Sequence, residues 1–531
     1  MARGKRVFTS LVGVSLLAVA FAGHTGRTLR LAVTQDEGTL TPYTYQTGYP
    51  GYELMTLIYD TLYLMDADLE PQPWLAEGLT LSDDGLTYTV ALKEGLSWQD
   101  GEALTAADVA FTVRYYQDNL LGRFTTSANK ITEVATPDDR TVVLTLAAPD
   151  ATFTQTALAD LPILPEHIWR EVADPNTAPA EVAIGSGPYR LAEYRTDQFY
   201  RLAENPDFWG PAPAFDEIIA PVIADQTATF QALQVGEIDA AARTVPPELV
   251  ERFQGGELEV VQGSGFASTL LLMDVTQGAF ARPEVRRVLA GLIDYDELVD
   301  TLLLGYATAG TPGFMHPDSA LANPATAEYP PLTANEARAQ LENLGFTAGA
   351  DGVYADEDGN RLEFEFLAPS DNPIRLRAAE LIAQDLNAAG FAVTVRAIEN
   401  EALVERVWPE FDVSQGRNYQ LSMFGWSAPV NSQANLLGLL HSDPAKGNLN
   451  LSGYANPEVD ALTDEAAVTV DAAARRDLLF QVQEVLAQDL PLITLFYQDG
   501  SYAYRPAAYD NWTYMAGQGI INKNSFVTVQ E

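Results

Sequence analysis

Four histidines and no cysteine limit the chemistry open to this chain of 531 residues. Without thiols there can be no disulfide, thiolate zinc site, iron–sulfur cluster or cysteine nucleophile. His24, His167, His316 and His441 are scattered, so no transition-metal site is expected, and they read as surface or loop residues rather than catalytic bases. There is no G-x-S-x-G elbow, no phosphate-binding G-x-x-x-x-G-K-[ST] loop and no H-E-x-x-H pair. Asp356-Glu357-Asp358-Gly359-Asn360 gathers carboxylates beside a glycine, as a calcium loop does. It lacks the bidentate Glu at the twelfth position and lies between Tyr354 and Leu362, so a hairpin turn is expected. The 73 acidic residues leave room for the carboxylate pair of a secreted acidic hydrolase, but no pair stands out. No cofactor is expected.

The chain offers aromatic residues in loops instead. Tyr43, Tyr45, Tyr49 and Tyr52 crowd one Gly/Pro-rich stretch, and Trp426 ends an apolar strand just before Ser427-Ala428-Pro429-Val430-Asn431. Rigid rings beside short polar groups suit a cleft that encloses a small organic solute. Ordinary core packing is the plainer alternative for each ring.

The elements that must position these residues alternate between α and β. Leu29–Val33 reads as a first strand. Leu79–Leu81 and Leu86–Leu92 form a hairpin around Ser82-Asp83-Asp84-Gly85. Thr105 caps a helix with Asp108 in its first turn, and Thr333-Ala334-Asn335-Glu336 is a capping box for a helix ending at Gly345. Pro283 opens an amphipathic helix. Strand Leu362–Phe366, helix Ile374–Ala389 and strand Phe391–Val395 make a βαβ unit, which implies parallel strands. Gln420–Trp426 is a further strand. Helices follow from Asn456-Pro457 and over Arg475–Leu490, then a strand over Leu492–Tyr497. The class is α/β.

Lys and Arg number 31 against 73 Asp and Glu, a net charge of −42, which argues against nucleic-acid and anionic-membrane partners. Residues 1–22 read as an export signal. Arg3, Lys5 and Arg6 precede an uncharged run from Leu11 to Phe21, and Ala20-Phe21-Ala22 supplies a cleavage pattern. Sec and Tat routes both stay open. Removing this segment takes away three positive charges and leaves −45. The mature chain is expected outside the cytoplasm, soluble, and without a lipid anchor, since a lipobox needs a cysteine.

Five stretches in order resemble the extracytoplasmic solute-binding proteins of ABC importers, family 5, the dipeptide/oligopeptide/nickel group. They are Ala76–Tyr88 running into Trp98-Gln99-Asp100-Gly101 and Leu104–Val109; Gly185–Tyr189 with Asn205–Gly210; Val285–Leu289 with Asp294–Leu298; Ala337–Phe346 with the βαβ unit; and Ser452–Leu462 with the Arg475 helix and Pro491-Leu492-Ile493. The resemblance implies a two-lobed periplasmic-binding-protein fold of the large cluster C type, with two crossing hinge segments and Venus-flytrap closure. Lobe I would be 27–265 plus 500–531, with an inserted subdomain near 45–178, and lobe II 266–499. It implies no enzyme activity, a membrane permease as partner, a monomer, and a small polar solute between the lobes. Tyr43, Tyr45, Tyr49, Phe124, Ser186, Phe266, Trp426, Ser427, Asn431, Asn435 and Tyr497 are the ligand contacts expected on this basis. Peptide-binding members carry an Asp three residues after the Trp that matches Trp426, and oligopeptide members an Arg three before it. Here those positions are Pro429 and Met423. Replacement charges are sought at Arg417, Glu401 or Arg123, and an oligosaccharide becomes a rival to a peptide.

Overall fold

The computed structural model describes residues 27–45, 51–120, 122–426 and 433–527. The expected export signal, Tyr49, Ser427, Pro429 and Asn431 lie outside these residues, as do the side chains of Arg123 and Asn435.

Two large sheets organise the chain. The first has seven strands in the order Glu259–Gly263, Gly500–Tyr504, Ala240–Ala241, Thr28–Ala32, Glu217–Pro221, Phe199–Glu204, Tyr189–Arg195. Thr28–Ala32 runs parallel to both of its neighbours. The second has six, in the order Ala307–Ala309, Leu492–Gln498, Ser268–Met273, Leu421–Trp426, Glu363–Pro369, Ala392–Ile398. Its central strand Ser268–Met273 is buried at every position, as its apolar run requires of a strand covered on both faces. The expected βαβ unit is present: Glu363–Pro369 and Ala392–Ile398 pair in parallel, joined by the helix Pro373–Ala388.

A four-stranded antiparallel sheet, Ala76–Leu81, Thr87–Leu92, Thr141–Leu146, Ile131–Asp138, lies within the stretch expected as an insert. Gly85 takes φ +71° in its first hairpin, the left-handed backbone that glycine adopts without strain. Both capping boxes form, Thr105 with Asp108 and Thr333 with Glu336. The Asp356 segment is a turn: its carboxylate accepts from the amides of Asp358 and Asn360 and from Asn360 Nδ2. Among the described residues no group of three or more metal-ligating side chains converges, and no helix is long and apolar enough to cross a membrane.

The chain passes between the large sheets twice, at adjacent places. Gly263 is the register partner of Gly500, and Ser268 of Tyr497. Segments 263–268 and 497–500 therefore run side by side. They touch closely: a Cβ on Gly265 would lie 2.0 Å from the Gln498 carbonyl oxygen. Tyr514 braces the crossing, its hydroxyl donating to the carbonyls of Gly263 (2.8 Å) and Ser264 (3.1 Å). Ser264 Oγ donates to Asp318.

His316 and His441 sit in irregular segments, the loop half of what was expected, and are buried there, at 0% and 5% exposed. His316 packs its ring against Phe266 and Tyr497, at 5.0 and 4.8 Å between centroids, and accepts from the Asp318 amide through Nδ1. Burial lowers its pKa, against the pull of Asp318, so the ring is kept neutral.

Candidate functional site

The strands fix which end of the six-stranded sheet faces the crossing. Ser268 begins its strand directly after the first crossing segment, and Trp426 and Tyr497 are its register partners. Glu363–Pro369 runs parallel to Leu421–Trp426. The carboxyl ends of both strands, and the helix start at Pro373, thus lie on the crossing side. In open α/β sheets that is where ligands bind.

Four polar side chains collect there without partners. Trp426 is half-buried and packs edge-on against Phe424 and Trp408, at 5.3 and 5.9 Å. The indole N–H groups of Trp426 and Trp408 are buried and make no hydrogen bond, and neither does Ser268 Oγ. Arg375, in the first turn of the helix Pro373–Ala388, places its guanidinium over Gly425. A Cβ at Gly425 would lie 2.1 Å from Arg375 Nη2, so glycine is what admits the arginine. Its Nε is buried and unpartnered, and burial lowers its pKa, opposed by Asp371. Three of the four groups are pure donors and the fourth can donate. A site built this way suits an acceptor-rich group, because a buried donor left without a partner is costly.

A cavity of about 530 Å³ opens beside the first crossing segment. Leu69, Glu70 and Gln155 wall it from one side, and Asp318, Leu321, Arg475 and Arg476 from the other, with Ser264 and Phe266 between.

The structure disperses the residues nominated from sequence. Phe266 lines the cavity and Trp426 stands at the sheet end. Tyr43, in contrast, is inside the aromatic core: it stacks on Tyr116 at 5.7 Å, meets Trp169 at 5.8 Å, and donates its hydroxyl to the Asn119 carbonyl. Tyr45 and Phe124 pack together in the same cluster. Ser186 is fully buried and donates to Asp60, and Tyr497 is buried with its hydroxyl on the Phe314 carbonyl. These side chains are committed to the interior, so the geometry does not offer them to a solute. For Tyr43 and Tyr45 the reason is that a loop rich in Tyr reads the same whether its rings face a cleft or a core. Met423 is fully buried in its strand, Arg417 is tied to the carbonyls of Leu451 and Asn450, and Glu401 is exposed in the first turn of a short helix. Arg375 was missed. Its only sequence signal was a cation just after the Asn372-Pro373 helix start that follows a parallel strand.

Two sheets joined by paired crossing strands, with a cavity beside the crossing and unpartnered donors at the sheet end, define a two-lobed binding protein. The chain belongs to the bacterial extracellular solute-binding proteins, family 5, whose middle-region model matches residues 70–448. It is 26% identical over 499 residues to the oligopeptide-binding protein AppA of Bacillus subtilis, covering 92% of this chain and 89% of that one. It is 29% identical over 472 residues to protein XP55 of Streptomyces lividans, covering 86% and 81%. Among solved structures, NikA of Brucella suis in complex with Fe(III)-EDTA superposes with a TM-score of 0.79 at 22% identity, covering 93% of this chain and 98% of that one. AppA of B. subtilis with a nonapeptide gives 0.70 at 24%, covering 95% and 99%. These likenesses carry the two-lobed fold. The protein is a solute-binding component of an ABC importer, acting outside the cytoplasm, and not an enzyme.

Proposed function

We propose that the solute carries a carboxylate or comparable anionic group, held by Arg375 at the crossing-side end of the six-stranded sheet. The buried, unpartnered Nε of the half-buried Arg375, with its guanidinium over Gly425, is the observation that carries this reading. Trp426, Trp408 and Ser268 then supply donors to further acceptors, and Trp426 a ring for an apolar part of the solute. Short peptides fit this description better than neutral oligosaccharides, and the names of relatives that bind oligopeptides, dipeptides and glutathione agree with it. In this reading residues 27–265 with 500–531 form one lobe and 266–499 the other. The solute is captured by closure and handed to the permease by a monomer. The absence of cysteine from the sequence supports release without a lipid anchor.

The test is a thermal-shift screen of free peptides, their C-terminal amides, neutral oligosaccharides and metal chelates, on the wild type and on Arg375→Met. A ligand at 100 times its dissociation constant stabilises by about 2.7 kcal/mol. Free carboxylates should shift the wild type and lose that shift in the variant, and Trp426→Ala should cost about 2 kcal/mol of binding. A neutral sugar that stabilises both proteins equally would sink the proposal.

A further inference from the structure

The lobes also meet at a second place, apart from the crossing segments themselves. One side is the loop 147–152, which follows the strand Thr141–Leu146. The other is the turn between the helices Pro457–Val468 and Ala472–Asp489. The Ala151 amide donates to the Ala467 carbonyl at 2.9 Å, and Arg475 Nη1 donates to the Ala151 carbonyl at 3.1 Å. Both backbone groups of one residue in the first lobe are thus taken by the second. Ala467 lies in the last turn of its helix, where carbonyls lack an intrahelical donor. Ala151 satisfies it from across the gap.

Each partner is held rigidly. Asp150 pairs with Lys130 at 2.6 Å and accepts from the amide and hydroxyl of Thr152, both at 2.8 Å. Arg475 projects from the first turn of a helix capped by Asp471. Apolar contact accompanies the hydrogen bonds: Val470 reaches the Gly85 turn, with its Cγ2 3.4 Å from where a Cβ on Gly85 would stand.

We propose that this contact is a latch, and that Arg475, which also walls the cavity, is a positioning residue that acts on solute capture through its bond to Ala151. It rests on the reading of the two sheets as lobes that move. All its contacts are between protein groups, so it biases the open–closed equilibrium directly. Apparent affinity scales with the population of the competent state, so loosening the latch weakens capture of every solute alike.

The experiment uses the full chain without solute and follows amide hydrogen exchange together with small-angle X-ray scattering. Ala151 should be protected in the wild type. Arg475→Ala should speed its exchange about tenfold and enlarge the radius of gyration, while amides of the six-stranded sheet keep their protection. Val470→Asp, which attacks the apolar half of the contact, should act in the same direction. If alanine loosens the sheet itself, Arg475→Lys, which keeps the charge but not the guanidinium fork, becomes the variant to read. An Ala151 amide that exchanges like an exposed loop in the wild type overturns the latch. So do variants that change neither its exchange nor the dimensions of a folded protein. No solute enters the measurement, so an error about Arg375 would leave this result untouched.

Discussion

Lys523 and Asp60 meet as a buried ion pair, Nζ to Oδ1 at 2.5 Å, across 463 residues of sequence. The ammonium also donates to the Tyr59 carbonyl, and Asp60 accepts from Trp74 Nε1, Ser186 Oγ and Trp209 Nε1. Burial lowers the lysine's pKa and Asp60 counteracts it. The pair stitches the C-terminal stretch to the helix Gly51–Ile58 and its following loop, and it explains why Ser186 belongs to the interior.

Lys523→Met leaves Asp60 buried without its contact ion partner, with Lys93, over the Trp74 and Trp209 rings, as a nearby cation. Breaking one side of such a pair costs about 3–5 kcal/mol. Urea denaturation should show the loss as a lower midpoint, and an unchanged midpoint would mean that the indole and hydroxyl donors suffice for Asp60.

Gly265→Ala puts a methyl group 2.0 Å from the Gln498 oxygen, so the crossing segments must separate. Overpacking of this kind costs about 1–3 kcal/mol. The loss should appear in thermal unfolding, with faster exchange at segments 263–268 and 497–500. A variant as stable as the wild type would show that the two segments slide freely.

Asp499 lies in the second crossing segment. Burial, with the like charge of Asp318 added, pushes its pKa up to about 6 from 3.8. A raised carboxyl pKa means that the folded state prefers the protonated form. This group's contribution to stability is therefore full below about pH 3.8 and lost as pH rises through about 6. Asp499→Asn should raise the melting temperature by about 1–3 °C at pH 8 and converge with the wild type at pH 4. A gap that does not vary with pH would refute the titration.

The acidic surface makes a prediction about salt. At −42 the chain repels itself, and counterions at a Debye length of about 10 Å in 0.1 M salt relieve the repulsion. The melting temperature should climb from low to molar NaCl, whereas a flat or falling curve would show the carboxylates to be compensated already.

The elements set by local chemistry were legible in the sequence. Thr105, Thr333 and Asn456 cap the helices expected of them, because a cap needs only its own first turn. The last long helix starts at Ala472 rather than Arg475, since Asp471 caps three alanines that carry no amphipathic signal. What could not be read depends on partners far along the chain. The burial of His316 follows from Phe266 and Tyr497, and the exposure of Arg375 to the crossing follows from the register of Gly425. Composition and spacing hold no trace of either.

The register at the crossing has a consequence for how the gene is assembled. Gly263 opposes Gly500, so the strand that leaves the seven-stranded sheet is the ladder neighbour of the strand that rejoins it. Everything between is one excursion with its two ends side by side, an insertion in the topological sense. Replacing residues 264–499 by a short turn would convert Glu259–Gly263 and Gly500–Tyr504 into a plain hairpin and leave the pairing of all seven strands unchanged. The six-stranded sheet is then a separable cassette, and the same juncture is a natural place to graft a different sensor or to open new termini by circular permutation.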